Sequence, residues 1–330
     1  MSSSLVAAPQ VPFQTFLDVP LCTDLDALDA EVAILGLPYG APYSMAEVTN
    51  DQSRAPGAIR RASSRTMQAI DRYDFDLGGP LLAGRDIRVV DCGDVVADPW
   101  DMGAHYRNAE AAARIILPKV KMLLSMGGDH GVPIPIFRAL DTVGPITMVH
   151  IDAHLDWRDE LNGVREGYSN PFRRASEMAH VEGMYQIGLR AQGSARPQDV
   201  ADALAYGSKL FTADEVIRGG MGAVLDRIPD GRTYYLSIDA DGVDPSVMPA
   251  VMAPTPGGVM YHHMRELIHG LVAKGRLIGM DVVEIAPSRD LNDLTTIAAT
   301  RLFMNAIGAA AKAGHLAASE LNSRSAESPR

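Results

Sequence analysis

Cysteine is scarce, with only Cys22 and Cys92 in 330 residues, far apart in the chain. Without a paired set or a Cys-x-x-Cys spacing, neither a disulfide framework nor a thiolate zinc site is indicated, and a reducing compartment fits. Positive charge is also short: 30 Lys and Arg face 41 Asp and Glu, a net charge of −11. A protein that tracks nucleic-acid phosphates needs a basic surface to displace counterions, so that class is excluded. No stretch approaches the roughly 18 consecutive apolar residues of a membrane span. The N-terminus lacks the basic start and apolar run of a secretory signal, so the expected location is the cytoplasm.

A hydrophobic fraction of 47% with 22% charged residues belongs to ordinary globular chains. The dominant pattern is a series of short apolar or β-branched runs, each ending in Gly, Asp or His and followed by a helical stretch. The runs are residues 31–37, 87–93, 121–127, 146–152, 184–190, 209–213, 233–239 and 276–284. Several are continuously apolar, as strands are when helices cover both faces of a parallel sheet. The expected fold is an α/β/α sandwich, with helices over 101–117, 132–141, 197–205 and 262–273. No linker interrupts the alternation, so residues 1–316 read as one domain and 317–330 as a small, polar tail that frays.

Ligands of such sheets bind beyond the carboxyl ends of the strands, which directs attention to polar residues that terminate apolar runs. Gly127-Gly128-Asp129-His130-Gly131 turns sharply after one run; by itself it also suits a plain strand-ending turn. In His150-Ile151-Asp152-Ala153-His154-Leu155-Asp156, extended geometry puts Asp152, His154 and Asp156 on one side. Asp239 and Asp241 share a face in the same way. Like charges buried this close repel unless a cation neutralises them, so the spacing asks for metal. Carboxylate oxygens with imidazole nitrogens and no thiolate suit manganese first and nickel second. Six ligands exceed the needs of one ion, and two ions bridged by shared carboxylates would use them all. Asp244 precedes Pro245 and reads as a turn former, and His262 and His263 as structural or surface groups.

Four motifs in order, GGDHG at 127–131, HIDAHLD at 150–156, SIDADGVDPS at 237–246 and MDVVEIAP at 280–287, resemble the ureohydrolase superfamily of arginases and agmatinases. The likeness spans most of the chain and is closer to agmatinase-like members. It implies an eight-stranded, mostly parallel sheet in the arginase-like fold. It implies one site completed by His130 and Asp156, another by His154 and Asp241, with Asp152 and Asp239 bridging. Glu284 would grip a substrate guanidinium through paired charge-assisted hydrogen bonds. The implied reaction is hydrolysis of a guanidino or amidino C–N bond to urea, or a urea-like product, and an amine, with Asp156 among the catalytic residues. Family members form trimers or hexamers.

Several positions depart from the family pattern. Tyr168 stands where many agmatinase-like sequences have a proton-shuttling His before the Pro-Phe-Arg-Arg-Ala stretch. The loop Gly188-Leu189-Arg190-Ala191-Gln192-Gly193-Ser194 lacks the acids with which arginases read an amino acid. The insertion 156–166 is expected to line the pocket, with Trp157 and Arg158 shaping it, and Met252 to add apolar bulk to another loop. Together these suggest a small, N-alkylated guanidine or biguanide, such as a metformin-like molecule. Competing readings are a single-zinc deacetylase-like enzyme and a noncatalytic or partner-dependent subunit of a ureohydrolase hetero-oligomer.

Overall fold

Strand formation follows the eight apolar runs closely. A computed structural model describes residues 5–7, 14–40, 43–44, 51–65, 70–96 and 101–317. Its strands are β1 (Val6–Ala7), β2 (Val32–Leu37), β3 (Val89–Val95), β4 (Met122–Gly127), β5 (Ile146–Ile151), β6 (Val181–Leu189), β7 (Lys209–Thr212), β8 (Thr233–Asp239) and β9 (Arg276–Val283). They form one sheet in the order β1-β3-β2-β4-β9-β8-β5-β6-β7. The eight long strands pair in parallel, as expected. The ninth, β1, is an unanticipated two-residue strand antiparallel to β3 at the edge.

Helices cover both faces. On one side α1 (Ala55–Ser63), α6 (Ala213–Leu225), α7 (Tyr261–Lys274) and α8 (Leu294–Ala313) pack over Val32, Ile34, Leu124, Leu236 and Ile238. On the other, α2 (Met102–Ile116), α3 (Ile134–Ala139), α4 (Pro171–Ser176) and α5 (Pro197–Tyr206) pack over Ala33, Leu35, Leu123, Met148 and Tyr235. Neighbouring residues of one strand therefore feed opposite cores, which requires the continuous apolar runs seen in the sequence.

The expected helices appear as α2, α3, α5 and α7, with α3 continuing into a 3-10 turn, Leu140–Thr142. Four helices escaped notice: α1, α4, α6 and α8. The longest, α8, is buried around nearly its whole circumference, so it carries no amphipathic stripe to read. With the preceding turn it is long and apolar enough to cross a membrane, but 78% of its most apolar window is buried inside the protein. The tail from 318 onward lies outside the described residues.

One buried ion cluster ties α1 to the sheet. Arg60 bonds Asp91 through Nε and Nη2 at 2.8 and 2.9 Å and Asp94 through Nη1 at 2.5 Å. Removing one member of such a cluster costs about 3–5 kcal/mol, because the others remain charged in the interior.

Candidate metal centre

The four central strands, β4, β9, β8 and β5, are adjacent, and the chemistry lies just past their carboxyl ends. After β4 the chain delivers His130; β5 delivers Asp152, His154 and Asp156; β8 delivers Asp239 and Asp241; β9 delivers Glu284. The Nδ1 atom of His130 lies 3.2 Å from Asp152 Oδ2, 3.1 Å from Asp156 Oδ2 and 3.1 Å from Asp239 Oδ2. The Nδ1 atom of His154 lies 3.4 Å from Asp152 Oδ1 and 3.3 Å from Asp241 Oδ2. Five of the six expected ligands thus fall in two groups, His130, Asp152 and Asp156 together with His150 in one and Asp152, His154 and Asp241 in the other, so that Asp152 belongs to both; Asp239 adjoins the first through His130. Asp239 turns Oδ2 toward His130, while its Oδ1 accepts the Asp241 amide at 2.8 Å.

Electrostatics make this arrangement untenable without positive charge. Five buried carboxylates, Asp152, Asp156, Asp239, Asp241 and Glu284, surround two ligating imidazoles. Burial and then neighbouring charges drive Asp239 well above the ordinary carboxylate range and Asp156 up to about 7. Burial also raises Asp152, but His150, His130 and His154 outweigh it and hold it low. Burial would depress His130, yet its bonds to Asp152, Asp156 and Asp239 raise it. The donor set, oxygen and imidazole nitrogen with no sulfur, and two ligand groups sharing one carboxylate, fit a pair of divalent cations. A single-zinc arrangement would leave the second group idle.

Beneath the ligands lies a polar row absent from the sequence expectations. Register aligns Ser125 of β4, Asp281 of β9, Ser237 of β8, His150 of β5 and Gln186 of β6. The Nε2–H of His130 faces Ser237 Oγ at 3.1 Å, and Ser237 donates to Asp281 Oδ1 at 2.7 Å. That chain fixes the tautomer that leaves Nδ1 of His130 toward the carboxylates. In parallel, His150, which burial pushes down to about 4 and keeps neutral, donates from Nε2 to Asp152 Oδ2 at 2.9 Å. Its Nδ1 accepts from Gln186 at 3.1 Å, and its ring stacks on Phe172 at 3.6 Å. The signal was present in the sequence: each of these polar residues interrupts an otherwise apolar run.

Backbone conformation completes the site. Asp156 and Glu284 adopt positive φ, 51° and 66°, which side chains other than glycine rarely do. Such strain, about 1–3 kcal/mol per residue, accumulates where geometry serves function. Glu284 accepts the His130 amide on Oε1 at 2.8 Å and the Gln52 amide on Oε2 at 2.9 Å, and burial pushes its carboxyl up to about 6. Gly193 lets its loop close over His154, since a Cβ there would lie 2.4 Å from the imidazole Cδ2.

Above the ligands opens a cavity of about 420 Å³, lined by Gln52, Asp129, Tyr168, Ser169, Gln192–Ser194, Met252 and Ala253 besides the acids. Tyr168 and Met252 stand in its wall as expected, Tyr168 against Tyr43 with ring centroids 4.4 Å apart. Trp157 and Arg158 do not. Trp157 is buried in the core beside Tyr206, and Arg158 holds the carbonyls of Ser194 and Glu160. Of the insertion 156–166, only Asp156 is in the lining. Arg190 bonds the carbonyls of Gly188, Asp241, Gly242 and Thr255, so the loop that lacks arginase-type acids is pinned to the strand ends by its own arginine. Asp244 forms the expected turn, accepting the amides of Ser246, Gly257 and Gly258, and His263 accepts the Met260 amide at the start of α7.

Fold and site together define a hydrolase of C–N bonds other than peptide bonds, built around a His/Asp cluster suited to two metal ions. A family model described as the arginase family matches residues 21–308, and the chain belongs to that family. It is similar to the guanidinopropionase of Pseudomonas aeruginosa, 32% identical over 299 residues that cover 88% of this chain and 89% of that protein. It is also similar to an agmatinase of Serratia proteamaculans, 32% identical over 83% of this chain and 85% of the other. Among solved structures, the proclavaminate amidinohydrolase of Streptomyces clavuligerus superposes with a TM-score of 0.79 at 29% identity, covering 94% of this chain and all of that one.

Proposed function

We propose that this chain hydrolyses a small, N-substituted guanidine or biguanide, of the metformin type, to urea or a urea-like product and an amine. The observation that carries this reading is the cavity wall. Its acids are the ligands, Asp129 and Glu284; the rest of the lining, among the described residues, is Gln52, His154, Tyr168, Ser169, Gln192, Gly193, Ser194, Met252 and Ala253. Among the described lining residues no Arg or Lys would pair with a substrate carboxylate. Apolar substituents find Met252, half exposed, and the Tyr168 ring.

The six ligands would hold two divalent cations, which supply an activated water as nucleophile and neutralise charge developing on the reacting carbon's substituents. Manganese is assigned first and nickel second, on ligand chemistry. Glu284 binds the guanidinium and turns its plane so that the amidino carbon faces the ligand floor. Asp156, at once a ligand and a lining residue of the cavity, takes the proton of the attacking water. Water's oxygen bonds the carbon, the C–N bond breaks, and the proton leaves with the amine. Tyr168 closes the mouth and hydrogen-bonds the departing nitrogen.

Assembly as a homotrimer or homohexamer, or with a related subunit, and residence in the cytoplasm complete the proposal. Exposed Tyr73, Phe75 and Leu291 and two free cysteines support these points. The test is elemental analysis and light scattering on the purified protein, then incubation with agmatine, 4-guanidinobutyrate, biguanide and metformin. Urea or guanylurea with stoichiometric amine from the uncharged-tail substrates is expected. Preference for agmatine or 4-guanidinobutyrate contradicts the assignment, and turnover that appears only with a co-expressed partner favours the partner-dependent subunit.

A further inference from the structure

Gln52 is a buried polar side chain in the cavity lining, 6% exposed, on a short 3-10 turn, Asp51–Arg54. The turn is anchored: Asp51 Oδ2 accepts both the amide and the hydroxyl of Ser288, each at 2.8 Å, just past the strand that delivers Glu284. The amide nitrogen of Gln52 donates to Glu284 Oε2. Because an ionised carboxylate only accepts, that contact fixes which end of the carboxamide is nitrogen, and its other end must be an acceptor. Yet Gln52 Oε1 is closed to solvent and has no hydrogen-bond partner among the described residues. Buried acceptors are seldom left unpaired, and one beside a binding carboxylate is an acceptor held ready for a donor from outside the protein.

We propose that Gln52 contacts substrate directly: its carbonyl oxygen accepts an N–H of the guanidinium that Glu284 grips. This deepens the proposed function and rests on that cavity taking a guanidinium. The two oxygens of Glu284 each spend one lone pair on protein donors, His130 N–H and Gln52 Nε2, and each keeps another. Gln52 Oε1, on the carboxamide bonded to Glu284, adds a third acceptor to this pair. The complement of such a set is a planar cation with N–H groups on adjoining edges, which guanidines and biguanides have and fully alkylated amidines lack. Gln52 thereby selects for N–H at the end of the substrate held by Glu284 and leaves alkyl groups to the Met252 side.

The experiment titrates manganese-loaded protein calorimetrically with guanidinium, 1,1-dimethylguanidinium and tetramethylguanidinium, comparing wild type with Gln52→Met. Loss of one hydrogen bond to a charged donor is expected to weaken guanidinium about ten- to a hundredfold. Tetramethylguanidinium should change less than about twofold, with the dimethyl compound between. Equal weakening of all three means that Gln52 acts only by positioning Glu284 and overturns the proposal, as does no weakening at all. Manganese content and thermal melting verify that the variant is folded; if it is not, Gln52→Asn, which withdraws the amide by one methylene, is read the same way. Selective binding in a protein that hydrolyses no guanidino compound would leave Gln52 assigned while the hydrolase reading falls. Absence of guanidinium binding in the loaded wild type overturns both.

Discussion

Ser237→Ala isolates the support beneath the ligands from the ligands themselves. Ser237 links the His130 Nε2–H to Asp281 Oδ1, and its loss leaves one buried donor and one buried acceptor unpaired. At about 1–3 kcal/mol for each unsatisfied group, the metal-free protein loses about 2–6 kcal/mol if nothing relaxes. Relaxation is available to Asp281, which burial has already pushed up to about 6 and which responds to a lost donor by rising further. A carboxyl raised in the folded state keeps protons that the unfolded chain releases, so stability falls as pH climbs through that interval. The deficit of the variant should therefore be larger at pH 8 than at pH 5, measured by urea unfolding of the metal-free protein. Freed from Ser237, the His130 ring also loses its fixed tautomer, and manganese affinity, read by chelator competition, should drop about 10- to 100-fold. Manganese affinity within twofold of wild type, in a variant destabilised as stated, would refute the claim that the serine orients the ligand.

Three further outcomes are expected. Asp239→Ala should lose bound metal and turnover together, checked by elemental analysis and urea release, since it removes an oxygen 3.1 Å from His130 Nδ1. Burial alone would lower His154, but Asp152 and Asp241 lift it to about 12, so that imidazole holds its proton in the metal-free protein at pH 8, and His130 is raised as well by its carboxylate partners. Loading should then expel at least one proton, and affinity should rise with pH, as calorimetry in buffers of different ionisation enthalpy will register; zero net release contradicts the assignment. Gly193→Ala should press a methyl onto the His154 ring and weaken one of the two metal sites about tenfold or more, seen as biphasic metal titration where wild type is tighter in both phases.

Much of this molecule was legible in its sequence because parallel strands under helices must be apolar on both faces. Eight such runs gave eight strands to within a few residues. Period-two spacing also made readable which side chains converge at the strand ends, Asp152 and His154 after one run and Asp239 and Asp241 after another, whereas His130, on a glycine turn, took its role from the family resemblance. Helix α8 was not readable for the same reason that it is stable: wrapped by protein on all sides, it has no polar stripe. Trp157 and Arg158 were misplaced because adjacency to Asp156 suggested shared surroundings, whereas the left-handed backbone at Asp156 turns the chain and sends the indole into the core. Gln52 becomes visible only in three dimensions, and although each member of the polar row interrupts an apolar run, that they form one row appears only when register sets five strands side by side.

The row of Ser125, Asp281, Ser237, His150 and Gln186 makes the middle of the sheet a place where sturdiness and competence oppose one another. Replacing its members with valine or leucine of suitable volume would remove buried dipoles and could harden the protein toward heat. Each such replacement would also release a ligand from its brace. Engineering for thermal endurance should spare this seam and look to the edge strands, where β7 and β1 carry no part of the floor beneath the His/Asp cluster.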